Sequence, residues 1–336
     1  MSAPLHIAID AMSGDRGPSV SVAAALAAAR EFRDVRFTLT GRQADLEREL
    51  AGANLPNVSC LFATEVVEMS DHPREALRRK KDSSMRRAID LVKAHEAHAC
   101  VSAGNTGALM ATAHFVLKML PGVERPAIVS IIPSRGGHTY MLDLGANASC
   151  TPAQLCQFAV MGSVLAADLP GAHERPRVGL LNIGEEEVKG NDTVQAANNL
   201  LAAADINYVG FVEGHDIFSD SVDVVVTDGF TGNIALKVME GASRLIANAM
   251  REEFARSPLR KLGYLAARPA LNALRARIDP RLYNGAAMVG LNGIVIKSHG
   301  GTDQFGFQRA IEVAILEARD DVPAQIAQRM SVLRDA

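Results

Sequence analysis

Ala99-Cys100-Val101-Ser102-Ala103-Gly104-Asn105-Thr106-Gly107-Ala108-Leu109-Met110 is an apolar run that breaks into glycines and polar residues, then resumes as Ala111 to Leu117. Ala99 to Val101 is short and apolar, whereas Leu109, Ala113, Val116 and Leu117 recur at helical spacing, so the period changes across the break. The stretch reads as strand, tight turn and helix. Gly104 and Gly107 let backbone approach a ligand with no Cβ in the way, and Asn105 or Thr106 can cap the first unpaired N–H groups. A helix start of this kind is an anion site, and the same pattern also serves as an ordinary capped connection.

The pattern recurs along the chain. Leu5 to Ile9 ends in Asp10-Ala11-Met12-Ser13-Gly14-Asp15, and an alanine-rich helix follows from Val20 to Phe32, with Asp15 or Ser19 as its cap. Arg36 to Thr40 and Asn57 to Ala63 read as strands around a helix at Gln43 to Leu50. Arg78-Arg79-Lys80-Lys81 beside Ser83 and Ser84 could hold a phosphate, but without other information reads as a solvated basic face, with a helix through Ile89 and Val92 behind it. Ala127 to Ile132 and Thr139 to Leu142 form a hairpin across Ser134-Arg135-Gly136-Gly137, and Asp143-Leu144-Gly145-Ala146-Asn147 leads to Thr151 and Pro152, which cap and open a helix to Ala167.

Further on, Arg177 to Ile183 runs into Gly184-Glu185-Glu186-Glu187-Val188-Lys189-Gly190, and Asn191 or Asp192 starts a helix to Ala204. Tyr208 to Val212 and Val222 to Thr227 are strands, the second meeting Asp228-Gly229-Phe230-Thr231-Gly232-Asn233, where Asn233 and Lys237 share one helix face. Gly293 to Lys297 ends in Ser298-His299-Gly300-Gly301 before a helix from Phe307 to Arg319. Alternating strands and helices predict a mostly parallel sheet, and the length fits one large domain or two modest ones.

Composition sets the class. Of 336 residues, 48% are hydrophobic and 22% charged, which suits a globular chain with a large core. A net charge of -3 gives no global reason to expect nucleic acid, and the absence of tryptophan argues against a stacking platform. Cys60, Cys100, Cys150 and Cys156 form no C-x-x-C pair, so neither zinc nor a disulfide framework is indicated. No segment reads as a membrane span or a leader, which predicts a cytoplasmic protein. Residues 241–283 change character: Arg251, Arg256, Arg260, Lys261, Arg268, Arg275 and Arg277 interleave with leucines, with Pro258 and Pro269 as breaks. This basic amphipathic helical hairpin suits an anionic membrane surface, an acidic protein or a subunit interface.

With these turns together, the chain resembles the bacterial phosphate acyltransferases of phospholipid synthesis, the PlsX family. The resemblance rests on Asp10 to Asp15, Lys80 to Met85, Ser102 to Gly107, Asp143 to Asn147, Asn182 to Glu186, Asp228 to Asn233 and Lys297 to Gly300 in this order. Ser13 departs from it, since the family usually has glycine there. The resemblance implies a homodimeric three-layer α/β/α fold related to phosphotransacetylases and isocitrate-dehydrogenase-like enzymes, with residues 1–336 as a single catalytic domain. It implies transfer of a long-chain acyl group from acyl carrier protein to inorganic phosphate without a cofactor or metal. It also implies peripheral membrane contact and hand-over to a glycerol-3-phosphate acyltransferase.

Phosphate is already an anionic nucleophile, which agrees with the absence of G-x-S-x-G, Walker A and G-x-G-x-x-G patterns. Helix starts converging at one end of the sheet are expected to hold phosphate beside the thioester. The N–H groups of Gly104 to Gly107, with the Asn105 and Thr106 side chains, are the phosphate candidates, helped by Lys189 or Lys237. His299 is the candidate acid or carbonyl polariser, oriented by Asp228 or Asp10, and Asp15, Asn147 and Asn233 complete the substrate set. Arg256, Arg260, Lys261 and Arg268 are the expected carrier or membrane contacts. Two rivals remain: a nicotinamide-dependent oxidoreductase of the related fold, and a non-catalytic lipid- or carrier-binding module.

Overall fold

The computed structural model describes residues 4–135, 137–167 and 173–335. In chain order its elements are β1 (His6–Asp10), α1 (Pro18–Glu31), β2 (Arg36–Gly41), α2 (Gln43–Leu50), β3 (Val58–Phe62), α3 (Pro73–Arg79), α4 (Ser84–Lys93), β4 (Ala99–Ser102) and α5 (Thr106–Leu117). There follow β5 (Ala127–Ser134), β6 (Gly137–Leu142), α6 (Pro152–Ala167), β7 (Arg177–Leu181), α7 (Asp192–Ala203), β8 (Asn207–Val212) and β9 (Val224–Val226). The chain ends with α8 (Gly229–Ala255), α9 (Pro258–Ile278), β10 (Ala286–Val289), β11 (Ile294–Lys297), α10 (Gln304–Asp320) and α11 (Val322–Asp335).

The strands form one eleven-stranded sheet in the order β3-β2-β1-β4-β11-β10-β5-β6-β9-β7-β8. Alternate residues of each strand face opposite sides, so Ile7 and Ile9 pack with α1 and α10, while Ala8 packs with α4 and α5. Each face of the sheet thus has its own core, which gives the three-layer α/β/α arrangement. Its central strands are buried on both sides and read as continuous apolar runs, as His6–Asp10 and Ala99–Ser102 do.

Strand direction decides where the turns go. β3, β2, β1, β4 and β11 run parallel, and β10 is antiparallel to both β11 and β5. β6 folds back antiparallel on β5, and β9, β7 and β8 follow β6. The glycine turns after β1, β4 and β11 therefore lie on one edge of the sheet, and those after β6, β7 and β9 lie on the opposite edge. Helix starts thus converge at one end for the first set only; the turns that carry Asn147, Lys189, Asp228 and Asn233 lie at the other, because the β5–β6 hairpin reverses the second half of the sheet.

Local signals explain most boundaries. Asn105 Oδ1 accepts from the Ala108 N–H at 2.9 Å and caps α5, and Asn191 caps α7 in the same way. Thr151 and Gln154 exchange side-chain and backbone bonds ahead of α6. Three expectations change. Gly17, rather than Asp15 or Ser19, occupies the N-cap of α1. The hairpin begins at Gly229, since α8 runs unbroken through Asn233 and Lys237 to Ala255, and Pro269 lies inside α9 without ending it. β10 pairs between β11 and β5 and has no counterpart in the predicted elements. Gly136 of the predicted turn and the side chain of Arg275 fall outside the described residues. No described helix is long and apolar enough to cross a membrane.

Asp143 organises the reversed edge. It is fully buried, and its carboxylate accepts from the N–H groups of Ile128, Gly145, Ala146 and Asn147 and from Asn147 Nδ2, at 2.7 to 3.2 Å. A Cβ on Gly232 would lie 2.0 Å from the Asp143 carbonyl oxygen, so only glycine lets α8 start against this loop. Asp143→Ala strands several buried donors, and we expect a loss of roughly 3 kcal/mol or more, read as a lower urea midpoint. An unchanged midpoint contradicts this role.

Candidate functional site

The edge formed by β1, β4 and β11 gathers the groups suited to an anion. The β4 register sets Val101 beside Ile9 and Ser102 beside Lys297, so Asp10, Ser102 and Lys297 end three neighbouring strands. Asp10 is 2% exposed, and its Oδ2 accepts from Ser102 Oγ at 2.7 Å. Its Oδ1 has no hydrogen-bond partner among the described residues, although the Ser84 hydroxyl at the start of α4 is close enough to favour the charged carboxylate. Burial pushes the Asp10 carboxyl above its ordinary range, and Ser84, Ser102 and the Lys297 charge oppose that shift.

The Lys297 ammonium donates to the carbonyls of Ala103, at 3.4 Å, and Ser298. Enclosure brings its pKa down to about 8 from 10.5, while the charges of Asp15 and Asp10 hold it up. It is thus a cation held between two glycine turns. Lys297 ends the apolar run Ile294 to Ile296, and its signal in the sequence was a lysine at that position followed by Ser-His-Gly-Gly. That stretch supports the family resemblance, but the lysine itself has no role among the sequence-derived site candidates.

The turns themselves interlock. Ser13 Oγ donates to the Asp10 carbonyl at 2.6 Å and accepts from the Ala103 N–H at 2.9 Å, so this serine ties the first turn to the second. Gly14, at φ 89°, is the residue of that turn that needs the left-handed region, and a Cβ on it would stand 3.1 Å from the Gly300 oxygen. The Asp15 N–H donates to that same oxygen at 2.9 Å. The N–H groups of Thr106 and Gly107 open α5, are exposed, and have no partner among the described residues. Unpaired donors at a helix start, with the dipole behind them, favour an anion.

His299 is exposed beside them. Its Nδ1 accepts from the Gly301 N–H at 3.1 Å, which places the proton of the neutral ring on Nε2. Its backbone is fixed by Asn284, whose Oδ1 accepts from the His299 N–H and whose Nδ2 donates to Ser298 Oγ and the Gly306 carbonyl.

Other candidates hold the fold instead. Beyond its cap, Asn105 spends Nδ2 on the carbonyls of Met69 and Asp71, at 2.7 and 3.1 Å, so its side chain is committed and the open donors are the backbone N–H groups beside it. Asp228 caps α8 through Thr231, and Asn147 Nδ2 is held by Asp143 and the Pro126 carbonyl. Both lie on the far edge with Lys189, Asn233 and Lys237, so neither Asp228 nor Lys189 reaches His299 within one chain. Lys237 pairs with Glu240 at 3.1 Å, while Asn233 stands exposed, its Cβ 3.5 Å from where a Gly145 Cβ would be. Asp10 touches Ser102 and not His299. In the hairpin, Arg256 and Arg260 both pair with Glu253.

A mostly parallel sheet with helices on both faces and glycine turns at its strand ends defines a three-layer α/β/α fold. Solved structures agree: the phosphotransacetylase from Streptococcus pyogenes aligns with a TM-score of 0.62 at 16% identity over 95% of both chains. EutD phosphotransacetylase from Staphylococcus aureus aligns with 0.57 at 15% identity over 94% of both. The family model described as fatty acid synthesis protein matches residues 5–325. The phosphate acyltransferase of Methylococcus capsulatus is 54% identical over 328 residues, 97% of this chain and 96% of that protein. That of Alkalilimnicola ehrlichii is also 54% identical, over 99% of this chain and 98% of the relative. The chain belongs to this family, the phosphate acyltransferases, which are acyltransferase enzymes.

The Lys297 environment makes stability pH-dependent. Its folded pKa of about 8 lies below the ordinary 10.5, so between these values the unfolded chain binds more protons and stability rises with pH. Below that window the buried ammonium weighs against folding. Lys297→Met removes this contribution, so the rise in urea midpoint from about pH 8 to about pH 10 flattens relative to wild type. Identical pH profiles for the two proteins contradict the assignment.

Proposed function

We propose that this chain moves a fatty acyl group from a carrier-protein thioester to inorganic phosphate at the β1–β4–β11 edge. The observation that carries this reading is the set of open Thr106 and Gly107 N–H groups, Lys297 and exposed His299 on a single edge. Phosphate fits against the α5 start and the ammonium, with the thioester carbonyl against His299 Nε2–H. A phosphate oxygen attacks the carbonyl carbon, a C–O bond forms, and the C–S bond breaks. The proton of hydrogen phosphate ends on the departing thiol, so the reaction balances with no outside acid, and the imidazole can relay it. Positioning and donors aimed at the tetrahedral oxyanion supply the rate. The hydroxyls of Ser13 and Ser102 are buried and committed to hydrogen bonds, which supports direct attack over a covalent enzyme intermediate.

A homodimer supports this chemistry. On α8, Phe230, Ile234, Val238 and Leu245 are exposed along one stripe, and Leu259, Leu262 and Leu265 are exposed on α9. A two-fold pairing through these faces can set the Asp228–Asn233 edge of one protomer against the Lys297 edge of its partner. Asn233 and Lys189 then act across the interface, which is the one arrangement that joins the two sets of turns.

The test is release of carrier thiol from a palmitoyl carrier protein with and without phosphate. We expect phosphate-dependent release, about 10²-fold slower in His299→Ala with folding intact, and a dimer in sedimentation. Release that ignores phosphate, or a variant at wild-type rate, overturns the reading.

A further inference from the structure

The segment from α3 to the start of α4 carries charge that the reaction above does not use. Residues 72–87 hold seven Arg and Lys against two acids, Glu75 and Asp82. Three of the cations are spent inside the fold: Lys80 on Asp71, Arg86 on Asp90 and Arg87 on Asp82. Arg74, Arg78, Arg79 and Lys81 are exposed and make no ion pair or side-chain hydrogen bond among the described residues. Arg74 and Arg78, four apart on α3, share a face; Arg79 is the last residue of the helix, and Lys81 follows just beyond it. In the hairpin, Arg256 and Arg260 are both drawn to Glu253, and Lys237 and Arg244 to Glu240, while Lys261 and Arg268 make no ion pair among the described residues but lie on the hairpin rather than beside the His299 turn.

The patch borders the anion site. α3 packs on α5 so closely that a Cβ on Gly107 would lie 2.8 Å from Pro73 Cγ. Asn105 Nδ2 binds the carbonyls of Met69 and Asp71 just ahead of α3. Met69 is 47% exposed, and its Cε lies 3.2 Å from the position of a Gly300 Cβ, so an apolar lip separates the basic face from the His299 turn. From Pro73 to Arg79 the helix rises about 9 Å. A partner seated on Arg78, Arg79 and Lys81 therefore has its neighbouring surface within a short reach of His299.

We propose that this α3 face docks the acidic carrier protein and delivers its thioester-bearing arm past Met69 to His299. The inference rests on the acyl-carrier reading above and adds the place of docking. Unpaired cations outside the reacting groups attract an acidic partner, raise its encounter rate and weaken with salt. The exposed apolar stripe of the hairpin is left to the dimer.

The experiment compares wild type with Arg78→Glu/Arg79→Glu/Lys81→Glu and with the milder Arg78→Gln/Arg79→Gln/Lys81→Gln, each checked by thermal melting. Binding of labelled carrier protein is read by anisotropy at low and high salt, and KM is measured separately for acyl-carrier and for phosphate. We expect carrier binding and KM to weaken tenfold or more in the Glu variant and less in the Gln variant. The salt dependence should shrink in both, with KM for phosphate unchanged. Equal carrier binding by all three proteins overturns the proposal, whether or not turnover is seen. So does a rise in KM for phosphate alone, which assigns the cations to phosphate, or a loss confined to anionic vesicle binding, which assigns them to a membrane. Wild-type carrier binding without phosphate-dependent turnover would instead defeat the functional reading and leave the docking face standing.

Discussion

A carboxylate and an ammonium held at the ends of three neighbouring strands set the terms for this molecule. Asp10 is almost wholly removed from water, and a lone buried carboxylate is costly. The cost is offset by Ser102, by Ser84 at the start of α4, and by the charge of Lys297 one strand beyond Ser102. Each of these partners belongs to a different element, so satisfying one acid brings β1, β4, β11 and α4 into a single geometry. Ser13 adds the last link, bridging the Asp10 carbonyl and the Ala103 N–H. Where the family usually has glycine, this chain has a hydroxyl that fills the same turn without needing a positive φ.

The second constraint is topological. Because β6 reverses against β5, the chain builds two sets of strand-turn-helix units that face opposite ways. One edge is occupied by Lys297, His299 and the open start of α5. The other is organised by Asp143 and continues into a long helical hairpin whose apolar stripe is left exposed by the described residues. A protomer divided in this way invites a partner, and the hairpin leaves from the edge that the Lys297 site lacks.

Much of the fold was legible locally. The change of period at Ala103, the asparagine caps at Asn105 and Asn191, and the Thr151-Pro152 start each depend on a few adjacent residues and stand where the chain predicts them. Strand direction was not legible in that way, since the pairing of β10 between β11 and β5 joins segments more than 150 residues apart. The site was legible in part for the same reason. A polar residue in a glycine turn reads alike whether it faces a ligand or completes the backbone, and Asp228, Asn147 and Asn105 complete the backbone. Lys297 belongs to a stretch that carries the resemblance, yet nothing local gives it a role; its enclosure by Asp10, Asp15 and two carbonyls appears only when three strands are side by side.

The central claim is that phosphate is held at the Lys297 edge. A crystal structure grown with inorganic phosphate or a heavier tetrahedral oxyanion, at the lowest concentration that supports turnover, tests it most directly. The structure predicts density against the Thr106 and Gly107 N–H groups within reach of Lys297. An anion found only at Asn233 and Lys237 of the reversed edge, with the α5 start empty, would contradict it.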